Sequence, residues 1–160
     1  ILVGLIWQGI IVTQRAAVRV VRVKGFELAP ELSEEIKAEL AWASLMLLKN
    51  TPTRSLLVYY RGKVLLRRGV LGKKAEVTPG AILQRVLDKQ KPVYLVNLNL
   101  YPGKIEFDYL PENSQAVICQ PIGKEGVLLV VANAPRSYTK QDENWVEGIA
   151  DKLSYTLSDQ

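Results

Sequence analysis

Hydrophobic and polar positions along the chain predict helices that alternate with β-strands. Apolar residues recur at helical spacing from position 36 to 47, and Ser33 followed by two glutamates is typical of a helix N-terminus. The next segment, SLLVYYRGKVLLRRG, contains two β-rich runs around a tight turn that we expect to start at Gly62. A second helix is predicted after Pro79, and the run PVYLVN is predicted as a third strand.

The second half of the chain adds another hairpin and a closing helix. QAVICQPIG and VLLVVANAP are predicted strands, and a long loop separates them from PVYLVN. Thr139 and Asp142 have the spacing of a capping box, and Trp145 lies on the apolar face of the helix that follows. This order of elements predicts one α+β domain over residues 32–158, an antiparallel sheet with helices packed on it.

The first 12 residues, ILVGLIWQGIIV, are apolar except at Gln8 and two glycines. As a helix this run covers about 18 Å, whereas the hydrocarbon core of a bilayer is about 30 Å thick. The chain also begins at Ile rather than Met. We therefore interpret residues 1–14 as the end of a truncated membrane helix. The alternative is a buried N-terminal helix or strand packed on the domain.

A basic stretch follows the apolar run, and no acidic residue precedes Glu27. Residues 15–31 are interpreted as a basic linker. Basic residues directly after a spanning segment mark its cytoplasmic side and are attracted to anionic headgroups. The residues predicted to lie next to the membrane are Trp7, Arg15, Arg19 and Arg22.

Composition excludes several kinds of chemistry. The 160 residues contain one cysteine and no histidine, and the formal net charge is +5. Cys119 alone cannot form an internal disulfide or a cysteine-rich zinc site, and a Ser-His-Asp triad or a histidine-ligated metal is impossible. We predict no catalytic residue, no metal site and no cofactor. The moderate positive charge favours an anionic lipid surface or an acidic protein as partner, rather than nucleic acid.

Basic residues crowd the first hairpin and the loop after it, and no acidic residue interrupts positions 41–75. We predict a docking face for an acidic partner or for lipid. The alternative is an ordinary solvated strand face whose long side chains protect a sheet edge. The residues of this predicted face are Arg54, Arg61, Lys63, Arg67, Arg68, Lys73 and Lys74.

The long loop carries three aromatic residues, Tyr101, Phe107 and Tyr109. They are predicted either to line a ligand pocket or partner site, or to pin the loop to the domain. Trp145 is expected in the core, and Cys119 is expected as a small buried residue.

Several segments resemble the GAF domain. KQKPVYLVN resembles the point where a helix ends and a strand begins, and ENSQAVICQPIGKEGVLLVVANA resembles the central hairpin. SYTKQDENWVEGIADKLSYTL resembles the closing helix. The resemblance implies a small-molecule-binding, dimerising or docking module, with any ligand between the sheet and the long loop. The chain lacks the Asn-Lys-Phe-Asp-Glu signature of members that bind cyclic nucleotides, and Cys119 is not placed for chromophore attachment.

A second resemblance is more specific. GLIWQG and ELAWASLMLLKNTPTRSLLVYYRGKVLLRRGVLG resemble the cofactor-assembly-of-complex-C family of cyanobacteria and chloroplasts. This implies a membrane-anchored, non-catalytic factor that assists covalent haem attachment to cytochrome b6 in the thylakoid, with its domain on the cytoplasmic or stromal side. The implied partners are apocytochrome b6 and other haem-attachment factors, and a homodimer remains open.

Two rival functions are weighed against this one. A small-molecule-sensing GAF module of a signalling protein is the main alternative. The free-methionine sulfoxide reductases share the GAF fold, but they need several cysteines, whereas this chain has one. An enzyme is therefore the least favoured class.

Overall fold

A computed structural model describes residues 25–158, and within them the chain forms three α-helices and one six-stranded sheet. The helices are α1 (Glu34–Asn50), α2 (Ala81–Lys89) and α3 (Lys140–Ser158). The strands are β1 (Phe26–Leu28), β2 (Ser55–Tyr60), β3 (Lys63–Gly69), β4 (Val93–Leu95), β5 (Ala116–Ile122) and β6 (Gly126–Ala132). The loop between β4 and β5 contains two 3₁₀ turns, Leu98–Leu100 and Lys104–Phe107.

The sheet is antiparallel throughout, in the order β1-β3-β2-β6-β5-β4. The hairpins β2–β3 and β5–β6 lie side by side through the β2–β6 pair, and β1 and β4 form the edges. This confirms the predicted α+β fold with an antiparallel sheet.

Both faces of the sheet are covered. Helices α1 and α3 pack on the face that carries Leu56 and Val58, whereas α2 and the long loop cover the face that carries Leu57 and Tyr59. Successive side chains of a strand point to opposite faces. The central strands β2 and β6 are therefore buried at every position, which explains their continuous apolar runs.

The predicted helix termini are confirmed. Ser33 caps α1 and its hydroxyl accepts a hydrogen bond of 3.3 Å from the Ile36 amide. At the start of α3, the Thr139 amide donates to Asp142 Oδ2 at 2.8 Å and the Asp142 amide donates to Thr139 Oγ1 at 3.2 Å. This is the reciprocal pattern of a capping box.

The first hairpin turns one residue earlier than expected. Strand β2 ends at Tyr60 and β3 begins at Lys63, so the two turn residues are Arg61 and Gly62. Their φ angles are +49° and +79°. Two consecutive positive φ angles are typical of a type I′ turn, one of the two favoured two-residue hairpin turns, and glycine tolerates them best.

The predicted membrane helix at 1–14 lies outside the described residues, as do Trp7, Arg15, Arg19 and Arg22. Strand β1 falls within the segment 15–31 that was predicted as linker, and it pairs with β3. Among residues 25–158, no helix combines the length and the apolar character that a bilayer crossing requires.

One end of the sheet, which we call the Arg54 end, is closed by backbone hydrogen bonds between neighbouring segments. The Gly69 amide donates to the Gly25 carbonyl at 2.8 Å, and the Val70 amide donates to the Arg54 carbonyl at 3.0 Å. The Arg54 amide donates to the Val131 carbonyl at 2.7 Å. These bonds join the start of β1, the end of β3, the start of β2 and the end of β6.

The Arg54 end continues across the second hairpin. The Gln115 amide donates to the Ala132 carbonyl at 2.9 Å, and the Leu98 amide donates to the Gln115 carbonyl at 2.6 Å. The Arg136 amide donates to the Val96 carbonyl at 2.8 Å. The opposite end, which we call the Gly62 end, carries the turns at 61–62 and 123–125.

Candidate functional site

The predicted basic docking face does not form one continuous surface. Arg61 and Lys63 lie at the Gly62 end, whereas Arg54 lies at the opposite end of β2. Four exposed members of the set form ion pairs. They are Arg61 with Glu125 at 2.6 Å, Lys63 with Glu31 at 3.8 Å, Lys73 with Glu112 at 3.5 Å, and Lys74 with Asp108 at 3.2 Å.

Arg67 is buried, so its prediction as part of an exposed face is wrong. Its Nη1 donates to Glu27 Oε2 at 3.0 Å, and its Nη2 donates to the Gly72 carbonyl. Glu27 lies opposite Arg67 in the β1–β3 register. Arg67 therefore ties the edge strand to the segment that follows β3.

Arg68 is also buried, on the other face of the sheet, and the same prediction is wrong for it. Its Nη1 donates to the Ala41 carbonyl at 2.8 Å and to Ser44 Oγ at 2.9 Å, and its guanidinium lies 4.1 Å from the centre of the Phe26 ring. No carboxylate within residues 25–158 forms an ion pair with it. Burial lowers the pKa of Arg68 to about 10, so it remains charged at neutral pH. Arg68 joins α1 to the sheet through carbonyl, hydroxyl and ring contacts.

Arg54 is the member of the predicted set that is exposed and forms no ion pair with any residue between 25 and 158. It lines a cleft of about 250 Å³ at the Arg54 end, together with Ser55, Asn133 and neighbouring residues. Ser55 is buried, and neither its hydroxyl nor the Asn133 amide hydrogen-bonds to a described side chain or backbone group. The cleft thus offers a cation and two further hydrogen-bond donors. Ser55 and Asn133 were missed in the sequence because single polar residues at strand ends carry no pattern.

The loop aromatics pin the loop to the sheet, which is the second of the two expectations. Phe107 and Tyr109 are buried, and their ring centres are 6.1 Å apart. Tyr101 is partly buried, 6.3 Å from Phe107, and its hydroxyl donates to Glu106 Oε2 at 2.9 Å. Glu106 Oε1 in turn accepts a 2.9 Å hydrogen bond from the Ile82 amide in the first turn of α2. The loop therefore holds α2 in place.

The space between the sheet and the long loop is occupied by the chain's own side chains. Leu83 and Val86 from α2 pack there against Cys119 and Leu129 from the sheet, and all four are fully buried. Tyr109 enters the same cluster, and its buried hydroxyl has no hydrogen-bond partner among the described residues. Burial raises the pKa of Tyr109 and of the Cys119 thiol. Cys119 is thus a protonated core residue rather than a reactive thiolate.

The expectation that Trp145 lies in the core is wrong. Its side chain is 40% exposed and lines a shallow cleft of about 290 Å³ on the outer side of α3. The core face of α3 is formed by Val146, Ile149 and Leu153 instead. Within residues 25–158, no group of three or more cysteine, aspartate or glutamate side chains is arranged to hold a metal ion.

The fold is that of GAF-like domains. The GAF domain from an Acinetobacter phosphoenolpyruvate-protein phosphotransferase superposes with a TM-score of 0.58 at 15% identity, covering 92% of each chain. A type II free methionine-R-sulfoxide reductase from Thermoplasma acidophilum superposes with a TM-score of 0.63 at 21% identity, covering 79% of this chain and 94% of that chain. At these identities the likeness shows the fold alone.

The CCB2/CCB4 family of complex C cofactor-assembly proteins matches residues 1–153. The chain is 32% identical to the chloroplastic cofactor-assembly-of-complex-C protein CCB4 of Arabidopsis thaliana, over 98% of this chain and 57% of the relative. It is 24% identical to the chloroplastic CCB2 protein of the same plant, over 80% of this chain and 52% of the relative. The chain therefore belongs to this family. It spans little more than half the length of these curated relatives.

Proposed function

We propose that this chain is the folded part of a membrane-anchored, non-catalytic assembly factor that assists covalent haem attachment to cytochrome b6. The observation that carries the proposal is membership of the CCB2/CCB4 family across residues 1–153. The factor acts by binding apocytochrome b6 and other haem-attachment factors and positioning them, while other proteins carry out the chemistry.

The packing of the domain supports a docking role over small-molecule sensing. In GAF domains a ligand lies between the sheet and the long loop, and here this space is filled by buried side chains. The single thiol, Cys119, lies in the same cluster with a raised pKa. Both observations favour a domain that works through its surface.

The proposed location is the thylakoid membrane, because both curated relatives are chloroplastic. In this proposal residues 1–14 anchor the chain, Trp7, Arg15, Arg19 and Arg22 lie at the membrane surface, and the domain faces the stroma or cytoplasm. Among the exposed basic residues, we propose Lys73 and Lys74 as contacts for an acidic partner, because they lie side by side on an exposed segment.

Affinity capture tests the proposal. A tagged chain is expressed in cells that are assembling cytochrome b6, and the proteins captured from solubilised membranes are quantified. We expect apocytochrome b6 and other haem-attachment factors to be captured. Capture of neither would contradict a function through protein contacts.

Charge reversal tests the proposed contact residues. The double variant Lys73→Glu, Lys74→Glu is expected to capture several-fold less partner. The matched control, Lys124→Glu with Lys140→Glu, changes the net charge equally at other exposed positions and should capture as much as the parent chain. Equal losses in both variants would assign the effect to overall charge, and Lys73 and Lys74 would not be contacts.

A further inference from the structure

Exposed apolar side chains are concentrated at the Arg54 end of the sheet. Six large apolar side chains within residues 25–158 are exposed, and three of them lie at this end. Val70 follows β3 and is 57% exposed, Val96 follows β4 and is 44% exposed, and Leu100 in the adjoining 3₁₀ turn is 76% exposed. Val70 and Val96 directly follow the ends of β3 and β4, and Leu100 lies two residues after Leu98, whose amide bonds to the Gln115 carbonyl, so the three lie at the same end of the sheet.

Positive charge without a carboxylate partner accompanies these apolar residues. Arg54 and Arg136 both lie at the Arg54 end, and neither forms an ion pair with another residue of the described range. At the Gly62 end, Arg61 and Lys63 are both paired with glutamates, and Lys124 is the exposed cation there that forms no ion pair with a described residue. A surface that combines exposed apolar groups with unpaired cations fits the boundary between lipid headgroups and acyl chains.

The cleft at this end is suited to an anionic headgroup. Arg54, Ser55 and Asn133 line the cleft, and their guanidinium, hydroxyl and amide groups are hydrogen-bond donors of the kind that a phosphate oxygen accepts. Ser55 is only 6% exposed, and its hydroxyl has no partner in the described part of the chain. The Ser55 hydroxyl lines the cleft and is available to donate to a phosphate oxygen bound there.

The chain also enters the domain at this end. The described residues begin at Gly25, whose carbonyl accepts the hydrogen bond from Gly69. The sequence before it consists of residues 1–14, of which the first 12 form the apolar run, and the ten residues 15–24, which carry four basic and no acidic residues. Ten residues span at most about 35 Å when fully extended, so an anchored N-terminus keeps the Arg54 end within about 35 Å of the bilayer.

We propose that the Arg54 end of the domain rests on the anionic lipid surface of the membrane. Val70, Val96 and Leu100 lie at the headgroup–acyl boundary, and the Arg54 cleft holds the phosphate of a headgroup. This inference rests on the membrane-anchored part of the proposed function. It leaves the Gly62 end and the outer side of α3 facing the aqueous phase.

Site-specific fluorescence in the full chain tests the orientation. Leu100→Cys at the Arg54 end and Tyr155→Cys as the matched control are each labelled with an environment-sensitive fluorophore. Tyr155 is 81% exposed, and its neighbour Ser154 lies close to Gly123 at the Gly62 end. Cys119 is fully buried and does not compete for the label. The labelled chains are reconstituted into phosphatidylcholine vesicles that contain 30% phosphatidylglycerol and a lipid-borne nitroxide quencher, and vesicle binding is measured by co-sedimentation.

The label at position 100 is expected to be quenched at least threefold more than the label at 155. If the chain co-sediments with vesicles but both labels are quenched equally, or neither is, the orientation is wrong while membrane anchoring stands. If the chain does not co-sediment at all, both the anchoring and this inference are contradicted.

A second comparison tests the headgroup contact. In the chain labelled at position 100, quenching is expected to fall by half or more when phosphatidylglycerol is omitted. Arg54→Gln should remove most of this lipid dependence, whereas Lys63→Gln at the Gly62 end should leave it unchanged. An Arg54→Gln chain that keeps the full dependence on phosphatidylglycerol would overturn the assignment of the cleft.

Discussion

At the scale of single residues, the two adjacent arginines of β3 show why basic character alone does not predict a surface role. Arg67 and Arg68 are consecutive in sequence and point to opposite faces of a sheet that is covered on both sides. One pairs with Glu27 and the other binds α1 without a carboxylate. The sequence shows only two cations in a predicted strand. They are buried because helices α1 and α3 cover one face of the sheet and α2 with the long loop covers the other.

Arg68→Ala is expected to lower the free energy of unfolding by about 2 kcal/mol. The variant loses a partly desolvated cation–π contact and two charge-assisted hydrogen bonds, and relief from burying the charge offsets part of that loss. Lys73→Ala, which removes an exposed ion pair, should change stability by less than about 0.5 kcal/mol. Urea denaturation of both variants checks this, and equal stabilities would contradict the structural role of Arg68.

The thiol of Cys119 is expected to be unreactive in the folded protein. Burial raises its pKa, so the thiolate that reacts with thiol reagents is scarce at pH 8 and the sulfur is fully covered. Labelling with a maleimide should therefore proceed only after denaturation. Rapid labelling of the native chain at pH 8 would show that Cys119 is accessible and would reopen a chemical role for it.

At the scale of secondary-structure elements, the helices and hairpins that local sequence patterns define are predicted correctly. The edge strand, which is defined by pairing with a distant segment, is missed. The capped helices α1 and α3 and both hairpins are found because capping residues, periodicity and turn residues are local signals. Strand β1 has only three residues and is defined by its pairing with β3 about forty positions later. The first turn is displaced by one residue because Gly62 takes the second turn position, where φ is +79°, rather than the first.

Gly62 and Gly69 both have a positive φ angle, but only Gly69 is closely packed, so the two positions allow the cost of backbone strain to be measured apart from the cost of crowding. A Cβ atom on Gly69 would lie 2.2 Å from the Arg54 carbonyl oxygen, whereas one on Gly62 would meet nothing within 4 Å. Gly62→Ala is expected to cost about 1 kcal/mol of stability from φ alone. Gly69→Ala should cost about 3 kcal/mol or more, because the segments joined at the Arg54 end must also move apart. Thermal unfolding of both variants measures the difference, and similar melting temperatures would argue against the close packing of this end.

At the scale of the whole molecule, the fold was predictable from the order of elements, whereas the candidate surfaces were not. The seven basic residues form a cluster in sequence, yet the fold sends two of them into the core and separates Arg54 from Arg61 by the length of β2. The Arg54 end joins residues 25, 54, 70, 96, 115 and 131, and only the register of the sheet brings them into one row. Its cleft and exposed apolar groups therefore have no counterpart in any sequence motif.

The likeness to free methionine-R-sulfoxide reductases gives a direct test of the non-catalytic proposal. That likeness shows a shared fold at 21% identity or less, and the one cysteine of this chain is buried. The purified chain is expected to show no turnover of free methionine-R-sulfoxide with a dithiol reductant. Turnover above the level of a Cys119→Ala control would contradict the non-catalytic assignment.

The most direct test of the proposed function is a haem stain of membrane proteins from the organism after deletion of this gene. Covalent haem on cytochrome b6 should disappear, other c-type cytochromes should keep theirs, and the reintroduced gene should restore the lost signal. A deletion strain that retains covalent haem on cytochrome b6 would contradict the assembly-factor function.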